Sequence, residues 1–264
     1  MRQSRSDGHA FPARGASPRD TESISDSGRG AANPTGYNRL AMLLYYITHR
    51  KGFAGSEGEQ RAAVLRRIAE AARAGVDYIQ LREKDLPADD LEQLAREAIG
   101  AVRANSATAK LLINSRADIA MAVGADGVHL PAGFPPADEI RDHWLRHSDR
   151  KPMLGVSAHG VEDVRQAEFG GASFVVLAPI FEKAATGAKG IGLKVLRQAC
   201  ASPSAKEGRF PVLALGGVTL ADARACVEAG AAGIAGIRLF QHGDVAETVH
   251  QLRELATIRR AGRV

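Results

Sequence analysis

The most informative segment of the chain is the run Gln80-Leu81-Arg82-Glu83-Lys84. It follows a largely apolar stretch, residues 76–79, which has the composition of a buried strand. Because side chains alternate along a strand, Gln80, Arg82 and Lys84 share one face. An amide, a guanidinium and an ammonium group on one face can converge on a single anion. We therefore predict an anion site at the end of this strand, where α/β proteins hold their ligands.

Other polar residues follow the remaining predicted strands. The candidates for substrate binding or catalysis are Thr48, His49, Asn114, Ser157, His159, Gly216, Gly217 and Arg238. An imidazole such as that of His159 can move a proton near neutral pH. The pair Gly216-Gly217, just before a helix that begins near Thr219, can expose backbone N–H groups to a phosphate. We interpret His129, on a buried strand, as a core residue with satisfied hydrogen bonds.

These residues require a scaffold of alternating strands and helices from Leu43 onward. The predicted strands are Leu43–Thr48, Val76–Leu81, Leu111–Asn114, Gly127–Leu130, Met153–Val156, Phe174–Leu177, Val212–Leu215 and Gly233–Ile237. The predicted helices are Glu57–Ala74, Pro87–Arg103, Ala117–Val123, Ala137–Leu145, Val161–Glu168, Leu193–Ala201, Leu220–Ala229 and Val245–Arg260. Gly75, Gly124 and Gly230 each stand where a helix passes into a strand, as C-cap glycines do. Eight such units predict a closed, parallel (β/α)8 TIM barrel rather than an open doubly wound sheet.

Composition divides the chain into two parts. Residues 1–38 are rich in Ser, Gly and Arg and have few apolar residues, so we expect a disordered tail, with Met42 as an alternative start of translation. Residues 39–264 form the predicted catalytic barrel. Cys200 and Cys226 have no metal-ligand spacing and are interpreted as buried thiols of a cytoplasmic protein.

The net charge of +5 and the pI near 9.4 come from basic residues scattered along the chain, without a basic helix or a set of stacking aromatic residues. This distribution excludes the common nucleic-acid-binding designs and suits small anionic substrates. No apolar run is long enough to span a membrane. The sequence does not decide between a monomer and a homo-oligomer.

Several motifs together resemble thiamine-phosphate synthase. They are Tyr46-Ile47-Thr48, the segment from Tyr78 to Lys84, Leu112-Ile113-Asn114-Ser115-Arg116-Ala117-Asp118, Gly124-Ala125-Asp126-Gly127-Val128-His129-Leu130, Leu154-Gly155-Val156-Ser157-Ala158-His159 and Val212-Leu213-Ala214-Leu215-Gly216-Gly217-Val218. The resemblance runs from about Leu43 to about Leu255. It implies a (β/α)8 enzyme of vitamin B1 synthesis that acts on a pyrimidine diphosphate and a thiazole phosphate. The same superfamily includes TenI, a metal-independent tautomerase that acts on a thiazole phosphate.

The departures from the synthase pattern concern metal and phosphate binding. The resemblance implies Mg²⁺ held by two aspartates, but Ser115 replaces the first, and the segment from His129 to Phe134 has no acid at the place of the second. The phosphate loop after the sixth strand is also altered, with Lys183, Thr186 or Lys189 as candidate replacements. At the end of the eighth strand, Ile237-Arg238 replaces the usual Val-Ser.

Three functions are therefore considered. In a synthase, Gln80, Arg82, Lys84 and Asn114 would hold the pyrimidine diphosphate, and cationic groups would stabilise the leaving pyrophosphate. In a tautomerase, His159 would act as general acid and base on the thiazole ring. A barrel that binds a phosphorylated ligand without turnover is the third alternative, because a fold does not guarantee an activity.

Overall fold

The backbone of the computed structural model is described for residues 42–133, 136–182 and 187–261, with side chains described as far as residue 255. The predicted tail, residues 1–38, lies outside these residues, as do Phe134, Lys183 and Thr186. The described residues contain no helix with both the length and the apolar character that a membrane span needs.

Eight parallel strands close into a barrel in chain order, which confirms the predicted fold. The strands are β1 (Leu43–Ile47), β2 (Tyr78–Leu81), β3 (Lys110–Asn114), β4 (Gly127–Leu130), β5 (Met153–Ala158), β6 (Phe174–Leu177), β7 (Val212–Ala214) and β8 (Gly233–Gly236). β1 closes the barrel by pairing with β8, with Tyr45 opposite Ala235. β5 continues two residues beyond the predicted Val156, so Ser157 lies within the strand.

Helices cover the outside of the barrel at the predicted places. They are α1 (Glu57–Ala74), α2 (Ala88–Asn105), α3 (Ala117–Ala122), α4 (Ala137–Leu145), α5 (Val161–Phe169), α6 (Gly192–Ala199), α7 (Pro203–Lys206), α8 (Leu220–Glu228), α9 (Arg238–Gln241) and α10 (Val245–Ala261). α7 and α9 were not predicted, because a helix of four residues is too short to show a hydrophobic period.

Alternation along the strands separates two apolar cores. The odd-numbered positions of β1, such as Tyr45 and Ile47, pack inside the barrel with Leu112 and Phe174. Their even-numbered neighbours, such as Leu44, pack outward in the larger core that includes the helices. Each strand is therefore buried on both faces, as expected for a parallel sheet covered by helices.

The joints between helices and strands follow the predicted glycine pattern. Gly75 caps α1 in the left-handed conformation with φ of 93°, and Gly124 and Gly230 have φ of 67° and 107°. Acidic side chains just before two strands accept a backbone N–H from the preceding strand: Asp77 from Leu44 at 2.7 Å and Asp126 from Leu111 at 2.9 Å. These bonds fix the ends of the strands opposite the candidate site.

Two exposed glycines allow a matched test of backbone conformation, because an added Cβ would contact nothing within 4 Å at either position. Gly100→Ala, inside α2, should raise the free energy of unfolding by about 0.5–1 kcal/mol. Gly75→Ala, at positive φ, should lower it by about 1–2 kcal/mol. Urea denaturation of both variants measures the contrast. Equal effects would show that the left-handed conformation does not determine the choice of glycine at Gly75.

Candidate active site

The carboxylate of Glu83 joins the loops that follow β1 and β2. It accepts the hydroxyl proton of Thr48 at 2.6 Å and the backbone N–H of Arg50 at 3.0 and 3.1 Å. The Arg50 guanidinium, in a residue that is 3% exposed, lies 3.3 Å from Glu83 and forms two bonds of 2.7 Å with Asp85. Hydrogen bonds from Arg50 and Lys51 hold the pKa of Asp85 well below its usual range. This network fixes the backbone on both sides of Arg82.

A second connection joins the loop after β1 to α9. The side chain of Gln241, which is 1% exposed, accepts the backbone N–H of His49 at 3.1 Å and donates to its carbonyl oxygen at 2.8 Å. The Tyr46 hydroxyl donates to the same amide oxygen at 3.3 Å. Gly52 leaves room for this contact, because a Cβ at that position would lie 2.4 Å from the Gln241 amide nitrogen and would displace the side chain. α9 begins at Arg238, so this contact also positions the end of β8.

The predicted anion-binding face begins with a buried amide pair. Gln80 is 1% exposed and donates to the side-chain oxygen of Asn114 at 2.8 Å. Arg82 is half-buried, and its backbone N–H donates to the Thr48 hydroxyl at 3.0 Å. Lys84 is exposed. Neither charged group of Arg82 and Lys84 has an acidic partner within 4.0 Å among the described residues, so both remain available to an anion.

His129 and Ser157 meet inside the barrel. Ser157 Oγ lies 2.9 Å from His129 Nε2, and the Tyr45 hydroxyl lies 3.1 Å from Nδ1. Burial, and secondarily the charge of Arg82, lowers the pKa of His129 to about 3, so the ring is neutral at pH 7. The interpretation of His129 as a satisfied core residue agrees with these bonds. A cavity of about 560 Å³ between the loop after β4, α4 and α5 borders Ser157, but Gln80, Arg82 and Asn114 do not line it.

His159 lies at the exposed end of the same strand region. Its backbone N–H donates to Asp163 at 2.7 Å, and its Nδ1 lies 2.8 Å from the carbonyl oxygen of Ala178. A carbonyl oxygen only accepts, so the neutral ring carries its proton on Nδ1 and a lone pair on Nε2. His159 therefore has the tautomer of a general base.

The glycine pair after β7 packs against the loop after β6. Gly216 and Gly217 have φ of 93° and 69°, and a Cβ on Gly217 would lie 2.6 Å from the Glu182 carbonyl oxygen. The carbonyl of Gly216 accepts the N–H of Phe181 at 2.9 Å. Within the described part of the chain, no backbone carbonyl accepts the N–H of Gly216 or Gly217, so both can face a phosphate. Lys189, on the loop after β6, and Arg238, at the start of α9, are both exposed.

The acidic residues near this end of the barrel do not fit a magnesium site. Mg²⁺ is usually held by one or two carboxylates together with substrate phosphates. Glu83 is occupied by Thr48 and Arg50, Asp118 forms an ion pair with Arg116 at 2.6 Å, and Asp163 accepts the N–H of His159. Ser115 supplies no charge. Among the residues with described side chains, no three His, Cys, Asp or Glu side chains cluster for a metal ion.

The structure thus brings together Gln80 with Asn114, and His129 with Ser157, while Lys84, His159, Lys189 and Arg238 are exposed. Their contacts with a substrate stay predictions, and Thr186 lies outside the described residues. Tyr45, Arg50 and Gln241 were not predicted from the sequence, and Glu83 was given no role in joining the loops. Each of these residues acts through partners distant in the chain, such as Gln241 with His49, so no local pattern identifies them. The sequence shows only that these residues are polar and lie within or beside predicted strands.

We expect Glu83 to contribute to the stability of the fold, and Lys84 to contribute to ligand binding but not to stability. Glu83→Gln replaces the charged acceptor of the Thr48 hydroxyl and the Arg50 N–H by a neutral amide, while Arg50 keeps its bonds to Asp85, and should lower the free energy of unfolding by about 1.5–3 kcal/mol. Lys84→Gln, at an exposed position, should change it by less than about 0.5 kcal/mol. Guanidinium denaturation of both variants gives the comparison. A stable Glu83→Gln protein would show that the carboxylate does not hold these loops together.

Comparison with known proteins places this geometry in a family. The family model described as thiamine monophosphate synthase matches residues 44–240. A protein of Aquifex aeolicus named putative thiamine-phosphate synthase 2 is 40% identical over 199 residues, which cover 75% of this chain and 96% of that protein. A thiamine-phosphate synthase of a Roseiflexus species is 34% identical over 195 residues, with coverage of 73% and 75%.

Among solved structures, thiamine phosphate pyrophosphorylase from Pyrococcus furiosus aligns with a TM-score of 0.67 at 27% identity. The alignment covers 83% of this chain and 98% of that chain. Since the family model spans most of the barrel and the identity to curated members reaches 40%, the chain belongs to the thiamine monophosphate synthase family.

Proposed function

We propose that this protein is a thiamine-phosphate synthase, which joins hydroxymethylpyrimidine diphosphate to a thiazole phosphate and releases pyrophosphate. The observation that carries the proposal is the half-buried guanidinium of Arg82, which has no acidic partner among the described residues and stands beside the Gln80–Asn114 pair. Membership of the family and the names of the relatives support it. The substrates are thus small phosphorylated molecules.

In the proposed reaction, the bond between the pyrimidine methylene carbon and the diphosphate oxygen breaks, and its electron pair leaves with pyrophosphate. The thiazole nitrogen then supplies its lone pair to the methylene carbon. Arg82 and Lys84 stabilise the charge that grows on the leaving oxygen, which is the electrostatic contribution expected of fixed cations in a cleft. Gln80 donates to the side-chain oxygen of Asn114, and the Asn114 amide donates one N–H to Ser115, so its second N–H remains for the ligand.

The thiazole phosphate is proposed to bind on the opposite side of the barrel mouth. The N–H groups of Gly216 and Gly217, for which the described residues offer no backbone acceptor, provide donors, and Lys189 and Arg238 provide positive charge. A phosphate site on the loops after the seventh and eighth strands, completed by a short additional helix, is frequent in (β/α)8 enzymes. In this chain α9 takes the place of that helix.

Arg82→Ala should weaken the binding of hydroxymethylpyrimidine diphosphate by about 1.5–3 kcal/mol, because it removes a charged hydrogen-bond donor. Titration calorimetry measures the loss. Arg96→Ala is the matched control, since Arg96 lies on α2 and pairs with Glu92. Unchanged affinity of the Arg82 variant would contradict its assignment to the diphosphate.

A second function, thiazole tautomerisation, is favoured by one specific observation. The bond from His159 Nδ1 to Ala178 leaves Nε2 as a proton acceptor. In this reaction Nε2 takes a proton from one position of the thiazole ring, and the resulting imidazolium returns a proton to another position. The isomerisation leaves the proton count unchanged and needs no metal ion. The tautomerisation does not involve a pyrimidine diphosphate. It therefore leaves Gln80, Arg82 and Lys84, the proposed diphosphate-binding residues, without a role.

The decisive experiment incubates the protein with thiazole phosphate carboxylate and pyrimidine diphosphate, with Mg²⁺ or with EDTA, and identifies the products. Thiamine phosphate and pyrophosphate are expected, with weak dependence on Mg²⁺ because the described carboxylates do not fit the ion. His159→Ala should abolish any tautomerisation and change coupling only modestly. His250→Ala, exposed on α10, is the control.

The metal-binding part of this expectation has a separate measurement. Calorimetry of the free protein with Mg²⁺ should detect no binding, because Glu83, Asp118 and Asp163 are already paired. Tight Mg²⁺ binding without substrate would contradict this account of the site. Isomerised thiazole as the sole product would replace the synthase with the tautomerase, and recovery of both substrates unchanged would favour a barrel that binds without turnover.

A further inference from the structure

A buried hydrogen-bonded chain runs from β1 through β4 to β5. The Tyr45 hydroxyl lies 3.1 Å from His129 Nδ1, and His129 Nε2 lies 2.9 Å from Ser157 Oγ. Tyr45 is fully buried and His129 is 3% exposed, while Ser157 is half-buried near the carboxyl end of β5. Gly155 leaves space for the imidazole, because its Cβ would lie 2.8 Å from Nδ1.

The groups around His129 keep the ring neutral. Tyr45 on β1 and Arg82 after β2 are the titratable groups that face it, Tyr78 packs edge-on against Tyr45, and β6 contributes the apolar ring of Phe174. Burial and the charge of Arg82 both disfavour imidazolium. Burial also raises the pKa of Tyr45, so the phenol keeps its proton. A neutral imidazole has one N–H and one acceptor nitrogen.

The phenolic proton decides which nitrogen is the acceptor. In the part of the chain that the structure describes, His129 Nδ1 is the acceptor found within hydrogen-bond distance of the Tyr45 hydroxyl. If Nδ1 carried the ring proton, the Tyr45 proton would be buried without an acceptor, which is costly. Tyr45 therefore donates to Nδ1, the ring proton lies on Nε2, and Nε2 donates to Ser157 Oγ. Ser157 Oγ accepts this bond, so the Ser157 hydroxyl proton is not donated to His129.

We propose that Tyr45 and His129 are positioning residues that make the Ser157 hydroxyl a hydrogen-bond donor toward the substrate. Ser157 then selects a substrate that presents a lone pair, such as a ring nitrogen or a phosphate oxygen, and disfavours one that presents an N–H at the same place. This inference rests on the proposed function, because it assigns a hydrogen-bond donor, the Ser157 hydroxyl, to the proposed substrate site. A site built to donate to a ligand rejects analogues that cannot accept the bond.

The first test needs no substrate. Nitrogen-15 NMR of histidine-labelled protein, with the His129 signals assigned by their loss in His129→Phe, reports which ring nitrogen carries the proton. The expected result is a neutral ring protonated on Nε2 from pH 5 to pH 8. A proton on Nδ1, or an imidazolium within that range, would overturn the proposal.

The second test is a double-mutant cycle on the binding of hydroxymethylpyrimidine diphosphate. Ser157→Ala and His129→Phe should each weaken binding about tenfold, the usual effect of losing one hydrogen bond. The double variant should be no weaker than either single variant, because both remove the same donor to the ligand. A purely structural role for His129 predicts losses that multiply, about a hundredfold in total, and this result would overturn the proposal.

Val128→Ala provides the matched control for destabilisation. Val128 precedes His129 on β4, is fully buried and faces the outer core, so its truncation should lower the melting temperature without weakening binding. A similar loss of binding in this variant would mean that the effect of His129→Phe is unspecific, which contradicts a positioning role. If the parent protein does not bind the diphosphate at all, the proposed function fails, and the position of the His129 proton still decides the present inference.

Discussion

Each strand of the barrel is buried on both faces, so a polar side chain inside it must find its partner on a neighbouring strand or at the open end. The inner polar residues obey this constraint. Gln80 bonds to Asn114, and His129 bridges Tyr45 and Ser157. Gln80, Asn114 and Ser157 stand in the carboxyl-terminal halves of their strands, while Leu43 and Met153 at the opposite ends are apolar. The chemistry is therefore confined to one end of the barrel.

The loops at this end are joined by buried side chains rather than by regular backbone pairing. Glu83 connects the loops after β1 and β2, and Gln241 connects α9 to the loop after β1. The carbonyl of Ala178 holds His159 across β5 and β6. A charge-bearing side chain such as Arg82 thus extends from a fixed backbone. Fixed cations stabilise a leaving group effectively because they need no reorganisation when the charge develops.

The sequence was sufficient for the barrel because its signals are local. A cap glycine such as Gly75 and apolar strands at regular intervals each need only neighbouring residues for their interpretation. The shared face of Gln80 and Arg82 followed from alternation alone. The partners of Arg50, Gln241 and His129 could not be predicted, because these contacts depend on how distant segments meet. Gln241 bonds to a residue 192 positions away, and this pairing follows from closure of β8 on β1.

Ser115, which stands where the family resemblance implies an aspartate, has a positive φ of 61°. A left-handed backbone favours short polar side chains that can bond locally, and the Ser115 hydroxyl accepts from the Asn114 amide at 3.0 Å. A serine thus keeps the turn and the orientation of Asn114, although it contributes no negative charge. Because Ser115 is uncharged where the resemblance implies an aspartate, the cleft that contains Arg82 and Lys84 has one negative charge fewer. A phosphate can then be neutralised by side chains of the protein, which suits both the coupling reaction and a proton transfer at His159.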